Sequence, residues 1–143
     1  MLKHSPSRIL LQRLLDRGLV IQTRDGRDEH LGVVGTEPHD PPNCVTLYDT
    51  DPLRDGRLME GTVIAHGGVQ CRVRNKNYEE GWEHCHKIIT EFETVLRVQV
   101  TVKDTRYEIQ NISPTGGLPI SIGPDENQRR LFTANFFCTI KTL

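Results

Sequence analysis

The sequence predicts an α+β fold, a mostly antiparallel sheet with two main helices packed on one face. Three observations carry this expectation. Two stretches, at about residues 6–17 and 78–95, repeat apolar residues every three or four positions, the period of a helix with one buried side. Several runs alternate apolar and polar residues, the period of a half-buried strand, and the last and longest of them lies at 129–141. Glycine, proline and asparagine punctuate the chain between these runs.

Ser5-Pro6 opens the first helix, because a serine hydroxyl can accept an orphan amide proton and proline at the first helical position has a preset φ. Ile9, Leu10, Leu11, Leu14 and Leu15 form its apolar stripe and Gly18 its stop. From Thr23 to Asn43 only Leu31-Gly32-Val33-Val34 is apolar enough for a short strand. Val45 and Leu47 alternate with Thr46 and Tyr48 in a second strand. Asp49 to Gly68, with Asp51-Pro52, Asp55-Gly56, Gly61 and Gly67-Gly68, reads as a long loop holding at most a short strand at Thr62 to Ala65.

Val69, Cys71 and Val73 then put small apolar groups on one strand face and Arg72 and Arg74 on the other. Asn77 with Glu80 has the spacing of a capping box, ahead of a helix striped by Tyr78, Trp82, Cys85, Ile88, Ile89 and Phe92. Val98, Val100 and Val102 pair as a hairpin with Tyr107 and Ile109 across the Asp104-Thr105 turn. Residues 114–124 are irregular, with Ile120 and Ile122 as a brief edge strand. In the final strand Phe132, Ala134, Phe136, Cys138 and Ile140 share a face, and Phe137 stands out of phase on the other.

At 143 residues the chain reads as one domain, 1–143. Its 36% hydrophobic and 26% charged content is that of a globular protein, and no apolar run approaches the ~20 residues of a membrane-spanning helix. The N-terminus lacks the succession of a secretory signal, which places synthesis in the cytoplasm. A net charge of −1 supplies no global attraction to nucleic acid or an anionic membrane. Cys44, Cys71, Cys85 and Cys138 are scattered, without a C-x-x-C pair, and read as buried reduced thiols.

The chemistry-bearing clusters are weak. His84-Cys85-His86 cannot converge on one ion, because neighbours on a helix point about 100° apart. Gly67-Gly68 and Gly116-Gly117 do not lead into a helix as a phosphate cradle must. No serine or cysteine sits on a recognisable nucleophile elbow, although a Cys-His pair can meet in space. Asp125-Glu126, followed by Arg129-Arg130, reads as local or intersubunit ion pairs, and Arg72, Arg74 and Lys76 as a solvated or interface strand face rather than a nucleic-acid track. No catalytic, cofactor-binding or metal residue is assigned.

Three blocks in order carry a family resemblance: Pro42-Asn43-Cys44-Val45-Thr46-Leu47-Tyr48-Asp49-Thr50, Val69-Gln70-Cys71-Arg72-Val73-Arg74 with Tyr78, and Gly123-Pro124-Asp125-Glu126 with Arg129, Phe132, Asn135 and Phe136. Together they resemble the tail terminator (minor capsid) family of long-tailed bacteriophages. The chain departs from that pattern at Asn75 and Gln128, where the family tends to carry glycine, and at Asp51-Pro52, where a glycine-rich turn is usual.

The resemblance implies a non-enzymatic structural protein without a cofactor. It implies a ring, hexameric in this family, that caps the tail tube, stops its polymerisation and offers the surface to which the head is joined. The implied partners are further copies of the chain, the tail tube protein and a head-completion or neck protein, with the genome passing through the lumen. The implied location is the head-proximal end of the tail, after assembly in the host cytoplasm. A head-to-tail contact needs two different complementary patches on each subunit. Asp125, Glu126, Arg129, Arg72, Arg74 and Phe137 are the interface candidates, with the loop after Thr50 and the proline-rich segment before Asp125. The alternatives are a head-side neck or joining protein, and a small cytoplasmic enzyme or nucleic-acid-binding domain.

Overall fold

A computed structural model describes residues 2–22, 29–54 and 65–143. Helix α1 spans Pro6–Asp16, with the Ser5 hydroxyl accepting from the Arg8 amide and Gly18 at φ 73° just past its end. Helix α2 spans Tyr78–Glu93, capped by the Asn77 side chain, which accepts from the Glu80 amide. Both starts fall where their capping residues predict. In α1, Ile9, Leu10 and Leu14 are fully enclosed; in α2, Cys85, Ile88, Ile89 and Phe92 are.

Among the described residues seven strands make one curled sheet: β1 (Leu31–Val34), β2 (Cys44–Arg54), β3 (Ala65–Asn75), β4 (Leu96–Val102), β5 (Thr105–Pro114), β6 (Ile120–Pro124) and β7 (Arg130–Thr142). Their order is β1-β2-β3-β7-β5-β4, and β6 also pairs with β7. Every pairing is antiparallel except β1 with β2. The fold is therefore α+β with a mostly antiparallel sheet. β7 is the organising strand: β3 runs along one edge, while β5 takes residues 136–142 and β6 residues 130–133 of the other.

α1 packs against β1 to β4, and α2 against β3, β5 and β7. One apolar core joins them, in which Phe92 and Phe136 meet edge to face with centroids 4.9 Å apart. Trp82 is only partly buried and stacks on His86, one turn further along α2.

The segment expected as a loop from Asp49 to Gly68 differs most from the sequence reading. β2 continues to Arg54 and β3 begins at Ala65, with a register irregularity between Thr50 and Leu53 that takes Asp51-Pro52 into the strand. Residues 55–64, including most of the short strand expected at Thr62 to Ala65, lie outside the described residues. Gly67 and Gly68 are strand residues at points of close approach and not turn residues. A Cβ on Gly68 would meet Thr50 Oγ1 and stand 2.6 Å from the Asp51 carbonyl oxygen; one on Gly67 would stand 2.7 Å from Pro6. Gly68→Ala is expected to cost roughly 1–3 kcal/mol of unfolding free energy, read from urea denaturation, because the nearest neighbours include backbone that cannot step aside.

Candidate interaction surface

Arg72 and Arg74 do project from the face opposite Val69, Cys71 and Val73, but that face is covered. Arg74 donates from Nε to the Pro42 carbonyl at 3.0 Å and from Nη2 to the Pro41 and His39 carbonyls at 2.7 and 3.2 Å, and its Nη1 lies 3.5 Å from Glu37 Oε1. Residues 37–42 thus form a strap over the sheet. Arg74 is only 2% exposed, and the neighbouring Thr46 and Thr133, polar residues of the same face, are buried too. The expectation of a solvated Arg74 therefore yields to a covered one: its donors are engaged inside its own chain, which keeps a buried guanidinium satisfied. Arg72 faces the same Glu37, 3.8 Å away.

The Asp125 to Arg129 turn closes on the same strap. Asp125 Oδ1 accepts from the Asn127 and Arg129 amides, and Oδ2 from Arg129 Nε at 2.7 Å. Arg129 Nη1 reaches the His39 carbonyl, the oxygen that Arg74 also holds. Burial works against the Asp125 charge, but the Arg129 amide and guanidinium and the Asn127 amide outweigh it and hold the carboxyl below its ordinary value. Gln128 closes the turn at φ 63°, in the left-handed region where glycine is at ease, which accounts for this chain's departure falling at a glycine position.

Four of the six candidates, Asp125, Arg129, Arg72 and Arg74, are thereby joined into one network around Glu37 and the His39 carbonyl. Glu126 stands outside it, exposed at the tip of the turn. Phe137 is half-buried on the outward side of β7 between Gly68 and Ser113, two small residues in its row that leave room for a ring. What the network does is hold the strap and the β6–β7 turn in one fixed relief on the sheet.

Motif residues that look functional in sequence also do structural work. Asp49 receives the Ser7 amide and hydroxyl at 3.0 and 2.9 Å, so a β2 carboxylate caps the start of α1. Asn43 accepts from the Lys76 amide at 3.2 Å, tying the start of β2 to the β3–α2 junction.

Sequence reasoning missed one cluster. His30, before β1, and His84, on α2, stack with ring centroids 3.7 Å apart and planes 9° from parallel. Asn75 Nδ2 donates to His30 Nε2 at 3.1 Å, so that nitrogen carries a lone pair and not a proton. Burial, with the nearby His84, lowers the His30 pKa to about 3; burial, against a hydrogen bond to the Leu19 backbone, lowers that of His84 to about 4. The rings border a cleft of about 600 Å³ whose lining includes Glu29, Lys76, Glu80, Glu83 and Lys87. Stacked rings cannot present two nitrogens to one ion, and no local pattern links the two histidines in sequence.

The four cysteines are buried and free. Burial raises every one of the thiols, Cys85 and Cys138 to about 12, which disfavours the thiolate form. Freshly purified protein is expected to titrate four thiols once unfolded and to react far more slowly while folded; fewer than four would show a disulfide. Among the described residues no group of three or more His, Cys, Asp or Glu side chains is placed to hold a metal ion, and no helix is long and apolar enough to cross a membrane.

Fold and surface define a small α+β protein whose organised polar groups, among the described residues, hold the strap and the β6–β7 turn on the sheet. The profile of the family described as bacteriophage tail terminator protein matches residues 19–142, and the chain belongs to that family. The resemblance carried by the three blocks is thus borne out, and the family is one of phage structural proteins. No curated protein matches the chain.

Proposed function

We propose that the protein terminates the phage tail: copies of the chain close into a ring, hexameric as the resemblance implies, on the finished end of the tail tube. The ring stops tube polymerisation and presents the surface to which a head-completion or neck protein binds. It acts without catalysis, at the head-proximal end of the tail in the virion, after assembly in the host cytoplasm. The genome passes through its lumen without sequence-specific contacts. In this reading both helices lie on one face of the sheet and the strap of residues 37–42 lies over the other, which leaves the strap's outer surface and the strand edges for neighbours.

The observation that carries the proposal is the family match over residues 19–142, from just past α1 to the end of β7. The internal use of Arg74 supports it indirectly, because it removes the centre of the basic stripe on which a nucleic-acid reading rests. Purified protein mixed with isolated tail tubes is expected to appear by electron microscopy as a ring on one tube end and to block further addition of tube protein. Bare ends that continue to grow would refute the proposal.

A further inference from the structure

Of the six large hydrophobic residues exposed on the described surface, three fall within one five-residue stretch: Leu118, Ile120 and Ile122, at 63, 57 and 44% exposure. Ile120 and Ile122 belong to β6, which pairs with β7 on one edge and, among the described residues, with no strand on the other. The run from Thr115 to Pro124 carries no charge. Edge strands are usually protected by charge, and an apolar, uncharged, open edge is a site for another strand. Pro119 and Pro124 limit the match to the residues between them, since neither offers an amide proton.

The same sheet has a second open edge of different character. β4 pairs only with β5 among the described residues, and Leu96 at its start is 73% exposed. The surroundings of the two edges are opposite in charge. Beside β6 lies the start of α2, where Tyr78 packs on Phe132 and Phe132 is in register with Ser121. Residues 76–83 there set Glu79, Glu80 and Glu83 against Lys76, a net −2. Residues 96–107, from β4 through the turn into β5, set Arg97, Lys103 and Arg106 against Asp104, a net +2. β6 lies at the Arg130 end of β7 and the β5 residue Tyr107 at the Thr142 end, roughly 40 Å along a strand of this length. The two edges cannot satisfy each other within one chain.

We infer that the β6 edge of one copy, with Leu118, Ile120 and Ile122, is the docking site for the β4 edge of the next copy, with Leu96 and its basic surroundings. The contact is head to tail, made of two different patches with complementary charge, and it continues the sheet from copy to copy. A short strand match is weak alone and gains from closure, because the last contact of a ring is made within one assembly. The assignment rests on the ring proposed above, and it moves the contact away from the Asp125–Arg129 network, which is spent inside the subunit.

Two exposed substitutions test it: Ile120→Lys sets a cation on the edge that would meet the basic β4 surroundings, and Leu96→Glu an anion on the edge that would meet the acidic α2 start. Both positions are open to solvent, so each variant is expected to unfold thermally like the unsubstituted protein. Each alone is expected to lower ring occupancy of isolated tube ends about tenfold or more. An equimolar mixture retains one intact edge of each kind; native mass spectrometry at high concentration should then show a two-copy species with one of each variant that neither variant forms alone, and any larger species should alternate the two variants, because the two substituted edges carry opposite charges. If the unsubstituted protein forms rings and either folded variant does so equally well, the edge assignment falls while the terminator proposal stands. Should the unsubstituted protein form no ring even on tube ends, both fall together.

Discussion

Replacing Arg74 with alanine is expected to lower the unfolding free energy by about 3–5 kcal/mol, the largest effect of any single substitution considered. The arginine, itself 2% exposed, donates to three strap carbonyls and stands beside the half-buried Glu37. Its removal leaves the Pro41 and Pro42 carbonyls without this donor and the half-buried Glu37 without its nearer cation, while Arg129 still holds the His39 carbonyl, and the cost of unsatisfied groups exceeds the small net gain of making the bonds. Arg74→Lys should recover only part of the loss, because an ammonium cannot reproduce the planar fork that reaches several carbonyls at once. Urea unfolding monitored by Trp82 fluorescence measures both. A cost below about 1 kcal/mol for the alanine variant would show that the strap is held by other means.

Acidification should destabilise the fold well before its carboxylates titrate. In the folded protein His30 and His84 have pKa values lowered to about 3 and about 4, whereas in the unfolded chain both return to about 6.5. Above about pH 6.5 neither state binds the protons and stability is flat. Below it the unfolded chain takes them up and the folded one does not, so stability falls by roughly 1.4 kcal/mol per pH unit for each histidine, down to the folded values. The geometry supports the direction: a proton on His30 Nε2 would face the Asn75 amide N–H, and a charge on either ring would sit on its stacked neighbour. The Asp125 carboxylate acts in a lower window. Its depressed pKa gives stability that is present above about pH 4 and is lost as pH falls through the folded value. Chemical denaturation at a series of pH values measures the slope, and His84→Phe, which keeps a flat ring without a titratable nitrogen, should make it shallower. An unchanged midpoint between pH 7 and pH 5 would contradict the burial of the pair.

The elements were legible because their causes are local. Ser5 and Asn77 announce the two helices through cap chemistry, and the alternation in β7 announces the strand that organises the sheet. Gly67-Gly68 misled because a doublet of glycines has the same composition whether it turns the chain or lets Pro6, Thr50 and Asp51 come close; only the tertiary neighbours decide. Arg74 was placed on the correct face of β3, but whether that face is wet depends on a strap more than thirty residues away in sequence. The His30–His84 pair was invisible for the same reason, since each histidine alone sits in an unremarkable polar context. The functional reading comes from the three blocks taken together, and the structure explains several of their residues as caps, ties and turn formers.

The central claim is that this chain ends tail growth. Particles assembled without it, scored by electron microscopy for tail length and head attachment, test that claim most directly. The account predicts tubes that run past their proper length or stand unjoined to heads, with both defects corrected by supplying the protein. Tails of normal length firmly joined to heads in its absence would contradict it.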